Sequence, residues 1–417
     1  MSNLILLTNS FPYGNWEPYL ETEVHYYDDF DQILICSLQI RKEHKDKIRK
    51  LPSDKFKICP VYYAPRYVYL LNAITAFADK NLYKELLKLA KQHRLSLKRI
   101  VKLFVYISRS NYEARILLNY LKENGLYNST DNGVIYSYRF EYQPYVGLLI
   151  RQHLPNYRVV ARGHRYDLYE ESNSVSYIPL REILLRSLDK VIMIADDGKN
   201  YLSKKFPRFR DKIVVSRLGT IDYSVKETNC PQGEINLVSC SNVVSVKRID
   251  LIVRALAEVK NVKVNWTHYG EGVLMDEVKE LCSRTFPSNI HFNFRGFVAN
   301  QKVLEEYAEK PYHLFLNVSE SEGIPVSIME VMSFGIPCIA TDVGGTKEIV
   351  TDGRNGVLLD KDFKPEELSE WICRFAKMSE KEYQHYRKNA REDWENKYSA
   401  NKNYEEFVKT LCQEIRK

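Results

Sequence analysis

A short string between residues 319 and 330 holds the side chains best suited to chemistry in this sequence. It reads Ser-Glu-Ser-Glu-Gly-Ile-Pro-Val-Ser-Ile-Met-Glu and follows an apolar run that ends at Val318. Gly323 allows a tight turn, and Pro325 is pre-set for the first turn of a helix. A strand, a glycine turn and a helix start together aim free N–H groups and a positive dipole end at one point. The string therefore predicts a binding site for a diphosphate.

Two carboxylates bracket this predicted diphosphate site. Glu322 lies in the turn, and Glu330 lies roughly two turns into the helix. A carboxylate accepts two hydrogen bonds, which matches the vicinal diol of a ribose or a hexose. Because Pro325 has no N–H, the amides of Val326 and Ser327 are the predicted donors to the diphosphate. The whole set suits a nucleotide sugar.

Two further loops add charge and an imidazole. Residues 239–248, Ser-Cys-Ser-Asn-Val-Val-Ser-Val-Lys-Arg, leave one predicted strand and enter a helix, so they bring cations to the start of a helix. Such cations stabilise the negative charge that develops on a departing diphosphate. Residues 161–167, Ala-Arg-Gly-His-Arg-Tyr-Asp, end a strand and place His164 and Arg165 at the edge where α/β sheets bind ligands.

These strings resemble the signature of retaining glycosyltransferases of family 4, which have the GT-B fold. Glu322 and Glu330 match the family's E-x7-E pattern, and Cys-Ile-Ala-Thr-Asp-Val-Gly-Gly follows at residues 338–345. The resemblance implies that Glu322 and His164 lie around the donor sugar and that Glu330 binds the ribose hydroxyls. It also implies transfer with retention and no need for a metal ion.

The loop of residues 239–248 resembles the family's diphosphate loop, G-R-x4-K, with one departure. Lys247 matches the lysine, whereas Asn242 stands where the family has arginine. Arg248 is predicted to supply the missing charge. The G-x-G turn at residues 270–272 matches a family turn that is mostly structural.

The remaining predicted contacts also follow from the resemblance. Residues 11–17 are similar to the family's first glycine loop, although only one glycine is present, and residues 295–298 are similar to the loop that holds the base. The predicted catalytic residues are His164 and Glu322; the predicted donor-binding residues are Gly14, Asn242, Lys247, Arg248, Phe297, Gly323, Ile324, Pro325, Val326, Ser327 and Glu330; and the predicted acceptor-binding residues are Glu17 and Arg165.

The elements that must position these residues read as alternating strands and helices. Short apolar runs alternate with longer amphipathic ones, which predicts an α/β fold with parallel sheets covered on both faces. The resemblance specifies GT-B, two Rossmann-like doubly wound domains that face a central cleft. The predicted divisions are an acceptor-binding domain at residues 1–222 with a helical insertion at about 73–126, a linker at 223–234, a nucleotide-sugar domain at 235–400, and a C-terminal helix at 401–417.

Composition excludes several other classes of protein. A chain of 417 residues is long enough for two domains, and its apolar content of 44% and charged content of 28% are typical of globular proteins. No apolar run is long enough to span a bilayer, and the N-terminus lacks a basic leader, so a cytoplasmic location is expected.

The eight cysteines include no C-x-x-C pair, which favours free thiols over zinc or disulfides. An Asp-Phe-Asp string at residues 29–31 precedes a strand and predicts no metal site, and no cofactor is expected beyond the donor substrate.

One basic segment could contact a membrane. Residues 80–102, which begin with Lys80 and end with Lys102, contain eight Lys or Arg and one Glu beside apolar positions at helical spacing. A basic helix with an apolar face can lie on an anionic membrane surface. Alternatively, its apolar face packs on the protein core and its lysines are exposed to solvent. The family resemblance favours peripheral association with the inner face of the membrane. Nucleic-acid binding is not expected, because no recognition module is visible.

The predicted function is transfer of a sugar from a nucleotide-diphosphate sugar to a hydroxyl of a glycan or lipid-linked glycan, in surface polysaccharide or glycolipid synthesis. Two alternatives stay open. The first is a sugar phosphorylase or a nucleotide-sugar epimerase, because these enzymes share the fold. The second is a non-catalytic subunit that binds a sugar nucleotide or a membrane, because Asn242 replaces the arginine that binds the diphosphate in the family.

Overall fold

The protein consists of two compact α/β units. The computed structural model describes residues 2–126, 130–173, 175–223 and 228–416. The first unit contains Met1–Ser216 together with Tyr404–Lys417, and the second contains Arg217–Asn403. Each unit has a parallel sheet between layers of helices, which confirms the predicted fold class of two doubly wound Rossmann-like domains.

The first unit is built on a seven-stranded parallel sheet with the order β3-β2-β1-β4-β5-β6-β7. Its strands are β1 Ser2–Thr8, β2 Gln32–Ile40, β3 Phe56–Tyr62, β4 Asn132–Ser137, β5 Tyr157–Gly163, β6 Lys190–Met193 and β7 Ile213–Val215. Its helices are α1 Tyr19–Glu23, α2 Arg66–Leu71, α3 Ile74–Phe77, α4 Lys80–Lys91, α5 Leu97–Glu123, α6 Gln143–Arg151, α7 Arg165–Leu168, α8 Arg181–Ser187 and α9 Asp196–Lys205. Helices α2 to α5 form the helical insertion, which begins before the predicted residue 73.

Both faces of this first sheet are buried because successive side chains of a strand point to opposite sides. Ile5 and Leu7 of β1 pack into the core beneath α5 and α6, whereas Leu4 and Leu6 pack into the core on the other face. The C-terminal helix of the chain covers part of that second face through Phe407. The sequence did not indicate which domain this helix packs against. In the structure it packs against apolar side chains of the first sheet.

The second unit is built on a six-stranded parallel sheet with the order β10-β9-β8-β11-β12-β13. Its strands are β8 Glu234–Cys240, β9 Lys263–Tyr269, β10 Ile290–Phe294, β11 Leu314–Asn317, β12 Cys338–Thr341 and β13 Gly356–Leu359. Its helices are α10 Ile249–Ala257, α11 Met275–Thr285, α12 Asn300–Glu309, α13 Val326–Ser333, α14 Thr346–Ile349, α15 Pro365–Ala376 and α16 Glu380–Lys397, and the chain then enters α17 Ala400–Ile415. Strand β13 forms the edge of this sheet beside β12, at a place where the apolar pattern of the sequence predicted no strand.

The boundary between the units lies earlier than the sequence suggested. Residues 217–222 belong to the second unit, since Thr220 pairs with Ser399 and its hydroxyl accepts a hydrogen bond from the Trp394 indole at 2.7 Å. A Cβ on Gly219 would lie 2.4 Å from the Cα of Ala400, so this contact requires glycine. Of the predicted linker at 223–234, residues 224–227 lie outside the described residues, and β8 already begins at Glu234.

The basic segment of residues 80–102 is not one helix. Helix α4 ends at Lys91, and α5 begins at Leu97 after a turn. Cations of the second half hold residues 175 and 177, because Arg99 donates to the carbonyl of Val175 at 3.2 Å and Lys102 to that of Tyr177 at 2.8 Å. The predicted continuous basic surface is therefore reduced to the lysines of α4. Among the described residues, no helix combines the length and the apolar content that crossing a bilayer requires.

A buried ion pair joins α1 to the first sheet and gives a test of the fold. The guanidinium of Arg162 on β5 lies 2.5 Å from the carboxylate of Glu23, and both side chains are fully buried. We expect Arg162→Met to lower the free energy of unfolding by about 3–5 kcal/mol, because it leaves an uncompensated buried charge. Urea denaturation would measure the loss. Arg158→Met on the same strand is the control, since Arg158 is 39% exposed and its pair with Asp189 contributes at most about 1 kcal/mol. Equal losses in both variants would contradict this account of the first unit.

Candidate active site

The carboxyl edge of the second sheet brings the predicted diphosphate loops together. The strand order reverses between β8 and β11, so the loops that follow these two strands lie side by side at a topological switch point. The amide of Glu320 in the second loop donates to the carbonyl of Val246 in the first at 2.8 Å. Parallel α/β sheets bind their ligands at such a point.

Lys247 and Glu322 meet across these two loops. The ammonium of Lys247 donates to the carboxylate of Glu322 at 2.5 Å. The two side chains are 25% and 12% exposed, so the pair is mostly buried but not closed off from solvent. The sequence indicated each residue separately, 75 positions apart, and the structure places them in direct contact.

Arg248 does not take the place of the missing arginine. Its guanidinium donates to the carbonyls of Val318 at 2.7 Å, Lys361 at 2.7 Å and Ser319 at 3.3 Å. These bonds brace the loops after β11 and β13, so the predicted diphosphate contact of Arg248 is replaced by a structural role. Asn242 is exposed in the turn after β8 and carries no charge of its own.

A third loop fixes the turn that carries Glu322. Gly344, in the loop after β12, has φ +54°, and a Cβ there would lie 2.0 Å from the carbonyl oxygen of Glu322. The amide of Gly345 donates to the carbonyl of Gly323 at 2.8 Å. The glycine pair therefore lets two backbones touch, and this contact sets the position of the turn.

Helix α13 opens beside this turn. Pro325 is the N-cap with extended backbone, one residue before the position predicted for it, and Val326 is the first helical residue. The amide of Ile328 donates back to the carbonyl of Pro325 at 3.1 Å, whereas the first N–H groups of a helix have no partner inside it. Val326 and Ser327 carry those first N–H groups. Ser327 is half-buried, while Ile324 and Pro325 are buried beside it.

Glu330 is buried in the next turn of α13. Its side chain is 7% exposed and accepts a hydrogen bond at 2.8 Å from the amide group of Asn300, at the start of α12. Burial raises the pKa of Glu330 to about 7, and the Asn300 bond opposes this shift. A carboxyl with one protein donor retains capacity for further hydrogen bonds. Nothing in the sequence around Asn300 indicates this contact, which depends on the packing of α12 beside α13.

The loop predicted to hold a base is tied to its neighbours by backbone contacts. The amide of Gly270 donates to the carbonyl of Gly296 at 2.8 Å, and a Cβ on Gly270 would lie 1.9 Å from the carbonyl oxygen of Ser241. This confirms a structural role for the G-x-G turn. Phe297 follows Gly296 and is 67% exposed, so its ring is free of the core.

In the first unit, Glu17 has a different role from the one predicted. It is 3% exposed, and its carboxylate accepts hydrogen bonds from the amides of Asn9, Ser10 and Phe11 at 2.9–3.1 Å. Glu17 therefore shapes the loop after β1 and is not exposed to an acceptor. Gly14 in the same loop has φ +63°, and a Cβ there would lie 2.7 Å from the His44 ring. The glycine thus lets this loop pack against His44, in the segment that follows β2.

His164 directly follows β5 at the carboxyl edge of the first sheet and is the N-cap of α7. Its ring lies 4.7 Å from that of Tyr138, and neither ring nitrogen has a hydrogen-bond partner among the described residues. Burial, with Arg139 and Arg162 nearby, holds the pKa of His164 well below its usual value, so the imidazole is neutral. Its backbone amide donates to Asp167 at 2.6 Å, and Arg165 starts the short helix α7 beside it.

A cavity of about 180 Å³ opens next to α7 in the first unit. Tyrosine rings, two cations and amide and carboxyl groups share its wall, which includes Lys102, Tyr106, Arg109, Glu141, Tyr142, Tyr166, Asp167 and Asn173. Such a mixture suits a sugar, which offers apolar faces and hydroxyls together. These residues come from four separate segments, so no linear pattern could have identified them. Among the described residues, no three His, Cys, Asp or Glu side chains are grouped as metal ligands.

Comparison with known proteins agrees with this geometry. Residues 221–393 match the family model described as glycosyl transferases group 1. A relative from Streptococcus gordonii, the UDP-N-acetylglucosamine–peptide N-acetylglucosaminyltransferase GtfA subunit, is 23% identical over 356 residues, which are 80% of this chain and 67% of that protein. The Streptococcus pneumoniae protein of the same name is 25% identical over 178 residues, 41% of this chain and 34% of its own length. The matches thus span between a third and two thirds of these relatives.

A solved structure with low sequence identity has the same fold. The Anabaena protein HepE, solved in complex with UDP and glucose, has a TM-score of 0.65 at 15% identity and covers 99% of this chain and 100% of its own. Sequence similarity and fold agree: residues 221–393 are similar to the glycosyl transferases group 1, and the chain has the GT-B fold.

Proposed function

We propose that the protein is a retaining glycosyltransferase of family 4 that moves a sugar from a nucleotide-diphosphate sugar to a hydroxyl of a glycan or lipid-linked glycan. The observation that carries the proposal is the contact of Lys247 with Glu322 beside the start of α13, with Glu330 buried in the following turn. A cation, free helix N–H groups and two carboxylates at one sheet edge match the diphosphate and the hydroxyls of such a donor.

The donor would engage each group differently. Before binding, the Lys247 ammonium and the Glu322 carboxylate neutralise each other at 2.5 Å. A diphosphate competes for the ammonium and accepts from the amides of Val326 and Ser327, which frees Glu322 for the sugar. Glu330 accepts hydrogen bonds from the ribose diol. Gly323, whose backbone forms the turn, lets the diphosphate approach closely.

The reaction breaks the bond between the anomeric carbon and the diphosphate oxygen and forms one to the acceptor oxygen. By likeness to the family, the acceptor attacks from the side of the leaving group, and its hydroxyl proton passes to the departing phosphate. Lys247 stabilises the charge on that phosphate. His164, a neutral imidazole without a hydrogen-bond partner among the described residues, is proposed to contact the donor sugar. No step requires a metal ion.

The relatives guide the choice of donor. The streptococcal proteins are named for UDP-N-acetylglucosamine, and HepE was solved with UDP and glucose. A UDP-hexose or UDP-N-acetylhexosamine is therefore the first donor to test. Phe297, with its exposed ring, is proposed to contact the base. The cavity beside α7 is proposed to hold the acceptor sugar, and Arg165 stays a predicted acceptor contact.

Location and pathway follow from the proposed acceptor. A lipid-linked acceptor would place the protein in the cytoplasm at the inner face of the membrane, in surface polysaccharide or glycolipid synthesis. The name of one relative, a putative colanic acid biosynthesis glycosyltransferase of Escherichia coli, supports a role with polysaccharides.

Lys247 gives a direct test of donor binding. Thermal-shift screening of a nucleotide-sugar panel should reveal one donor that, at 100 times its dissociation constant, stabilises the protein by about 2.7 kcal/mol. Lys247→Ala should reduce the affinity for that donor roughly tenfold or more, because it removes a charge-assisted contact with phosphate. Lys279→Ala, an exposed helix lysine of the same unit, is the control and should bind normally. No stabilisation by any nucleotide sugar would refute donor binding.

Glu322 gives a test of catalysis. With the donor found above and a sugar acceptor, Glu322→Gln should reduce transfer about 10²–10³-fold, the range for removing one group that stabilises a transition state. Glu320→Gln, two residues away and 53% exposed, should retain activity. A further assay uses the donor with inorganic phosphate in place of the acceptor. Formation of sugar phosphate would indicate a phosphorylase, and conversion of the donor to its epimer would indicate an epimerase. Full activity of Glu322→Gln would contradict a role of Glu322 in catalysis. Donor binding without any transfer by the wild-type protein would favour the non-catalytic subunit that Asn242 leaves open.

Glu330 predicts a pH dependence of donor binding. Since its pKa is raised to about 7, a large share of this carboxyl is protonated at pH 6 and ionised at pH 8. The ribose hydroxyls donate to the ionised form, so donor affinity should rise as the pH increases from 6 to 8, with release of a proton on binding. Titration calorimetry in two buffers of different ionisation enthalpy would detect that proton. In Glu330→Gln both the pH dependence and the proton release should disappear; their persistence would assign them to another group.

A further inference from the structure

Another cavity of the first unit lies between α4, the start of α8 and the end of α9, and has a volume of about 350 Å³. We propose that this cavity binds an acidic sugar, a hexose that carries a carboxylate or a phosphate group, as one unit of a charged glycan. The proposal goes beyond the proposed function, because it requires neither the nucleotide-sugar donor nor sugar transfer.

The buried side of this cavity contains two polar side chains with unused hydrogen-bond capacity. Glu85 of α4 is 1% exposed; one of its oxygens accepts from the Tyr177 hydroxyl at 3.2 Å, whereas Oε2 has no hydrogen-bond partner among the described residues. Arg181, at the start of α8, is 2% exposed and donates to the carbonyl of Asp167, whereas its Nη1 has no such partner. Since buried polar atoms are nearly always paired, these two atoms indicate a ligand with polar groups of its own.

The two side chains require ligand atoms of opposite character. An ionised carboxylate only accepts hydrogen bonds, and a guanidinium only donates them. The guanidinium of Arg181 lies 3.8 Å from the centroid of the Phe140 ring, which fixes the direction of its donors. A hydroxyl both donates and accepts, so neighbouring hydroxyls of one sugar match Glu85 and Arg181 together. A bare phosphate or carboxylate only accepts, so Glu85 disfavours a simple anion.

Apolar side chains form another part of the cavity wall. Leu89 and Ile178 are buried, and the rings of Phe206 and Phe209 are half-buried on either side of Pro207. A sugar ring has apolar C–H faces in addition to its hydroxyls, and aromatic side chains cover such faces well. Apolar walls around a buried donor and a buried acceptor therefore fit a sugar.

The charges around the cavity favour an acidic sugar over a neutral one. Five cations line the cavity against three carboxylates, namely Lys88, Arg94, Arg181, Lys205 and Arg208 against Glu85, Glu170 and Glu182. Glu170 lies 3.5 Å from Arg94 and 2.9 Å from Lys205, so one carboxylate is shared by two cations. Burial raises the pKa of Glu85, which weakens its negative charge, although Lys88 opposes this shift. The remaining positive charge attracts an acidic group on the ligand.

Arg208 is the cation most available to that acidic group. It is exposed, lies in the 3₁₀ helix Pro207–Lys212, and its side chain forms no ion pair or hydrogen bond within the described part of the chain. A guanidinium binds a carboxylate or a phosphate through two parallel N–H groups. The exposed side of the cavity thus offers a contact for the acid, and the buried side offers contacts for the hydroxyls.

The cavity adjoins the one beside α7 that is proposed to hold the acceptor sugar. Ile178 lines both cavities, and Arg181 of this cavity donates to the carbonyl of Asp167, a wall residue of the other. Two sugar sites with a shared wall suit a glycan of more than one unit. The acidic site would then select which glycans the first unit binds.

Titration calorimetry of the full chain, without nucleotide sugar, tests the proposal. Glucuronate or glucose 6-phosphate should bind, and glucose should bind roughly tenfold more weakly, because it lacks the charge-assisted contact with Arg208. The tighter of the two acids identifies the acidic group as carboxylate or phosphate. Arg208→Ala should weaken binding of that acidic sugar about tenfold and leave binding of glucose unchanged. Arg210→Ala, an exposed arginine of the same 3₁₀ helix that does not line the cavity, is the matched control and should bind normally.

Several outcomes would overturn the proposal. Neither acidic sugar binds, glucose binds as tightly as they do, or the two arginine variants lose the same affinity. Inorganic phosphate that binds as tightly as the acidic sugar would indicate a site for simple anions. Tighter binding of uridine monophosphate would indicate a nucleotide site. An equal loss of affinity in Tyr166→Ala, in the wall of the cavity beside α7, would place the acidic sugar in that cavity instead.

Discussion

The candidate site depends on one constraint, the close approach of backbones among the loops at the carboxyl edge of the second sheet. A Cβ on Gly344 would lie 2.0 Å from the Glu322 carbonyl oxygen, and Cβ atoms on Gly270 and Gly272 would lie 1.9 and 2.2 Å from carbonyl oxygens of the loop after β8. Side chains are excluded at these contacts. The loops therefore pack directly against one another, and these contacts fix the backbone positions from which the charged side chains extend.

The packing of these loops determines which of their cations, Lys247 or Arg248, remains available to a ligand. Lys247 and Arg248 are adjacent in the chain, yet one side chain reaches Glu322 and the other donates to three backbone carbonyls. Arg248 has left-handed backbone, with φ +51°, which turns its side chain away from that of its neighbour. A cation that satisfies carbonyl groups stabilises the scaffold, whereas a cation paired with a movable carboxylate can exchange partners with a phosphate.

The two units use similar sheets for different purposes. In the second unit, glycines bring the loops together beside the start of α13, whose first N–H groups have no partner inside the helix. In the first unit, side chains fill the corresponding edge: Glu17 occupies the amides of its own loop, and His164 packs against Tyr138. The return of the chain to the first unit through α17 buries Phe407 beneath β4, with the ring 5.1 Å from that of Tyr136. The first sheet is thus completed by residues far apart in sequence.

The sequence by itself determined the fold class and the strand–turn–helix unit that carries Glu322 and Glu330, because these depend on local patterns of apolar runs, glycine and proline. It also determined that Glu322 and Glu330 bracket the start of one helix. Only the tertiary structure decided which side chains are free to bind. Glu17 and Arg248 carry the charges that the resemblance implied, but their hydrogen-bond capacity is used by neighbouring backbone. Asn300, the cavity beside α7 and the partner of the C-terminal helix depend on residues that the chain brings together from distant segments. Burial and pairing are properties of those long-range contacts, and a linear pattern does not contain them.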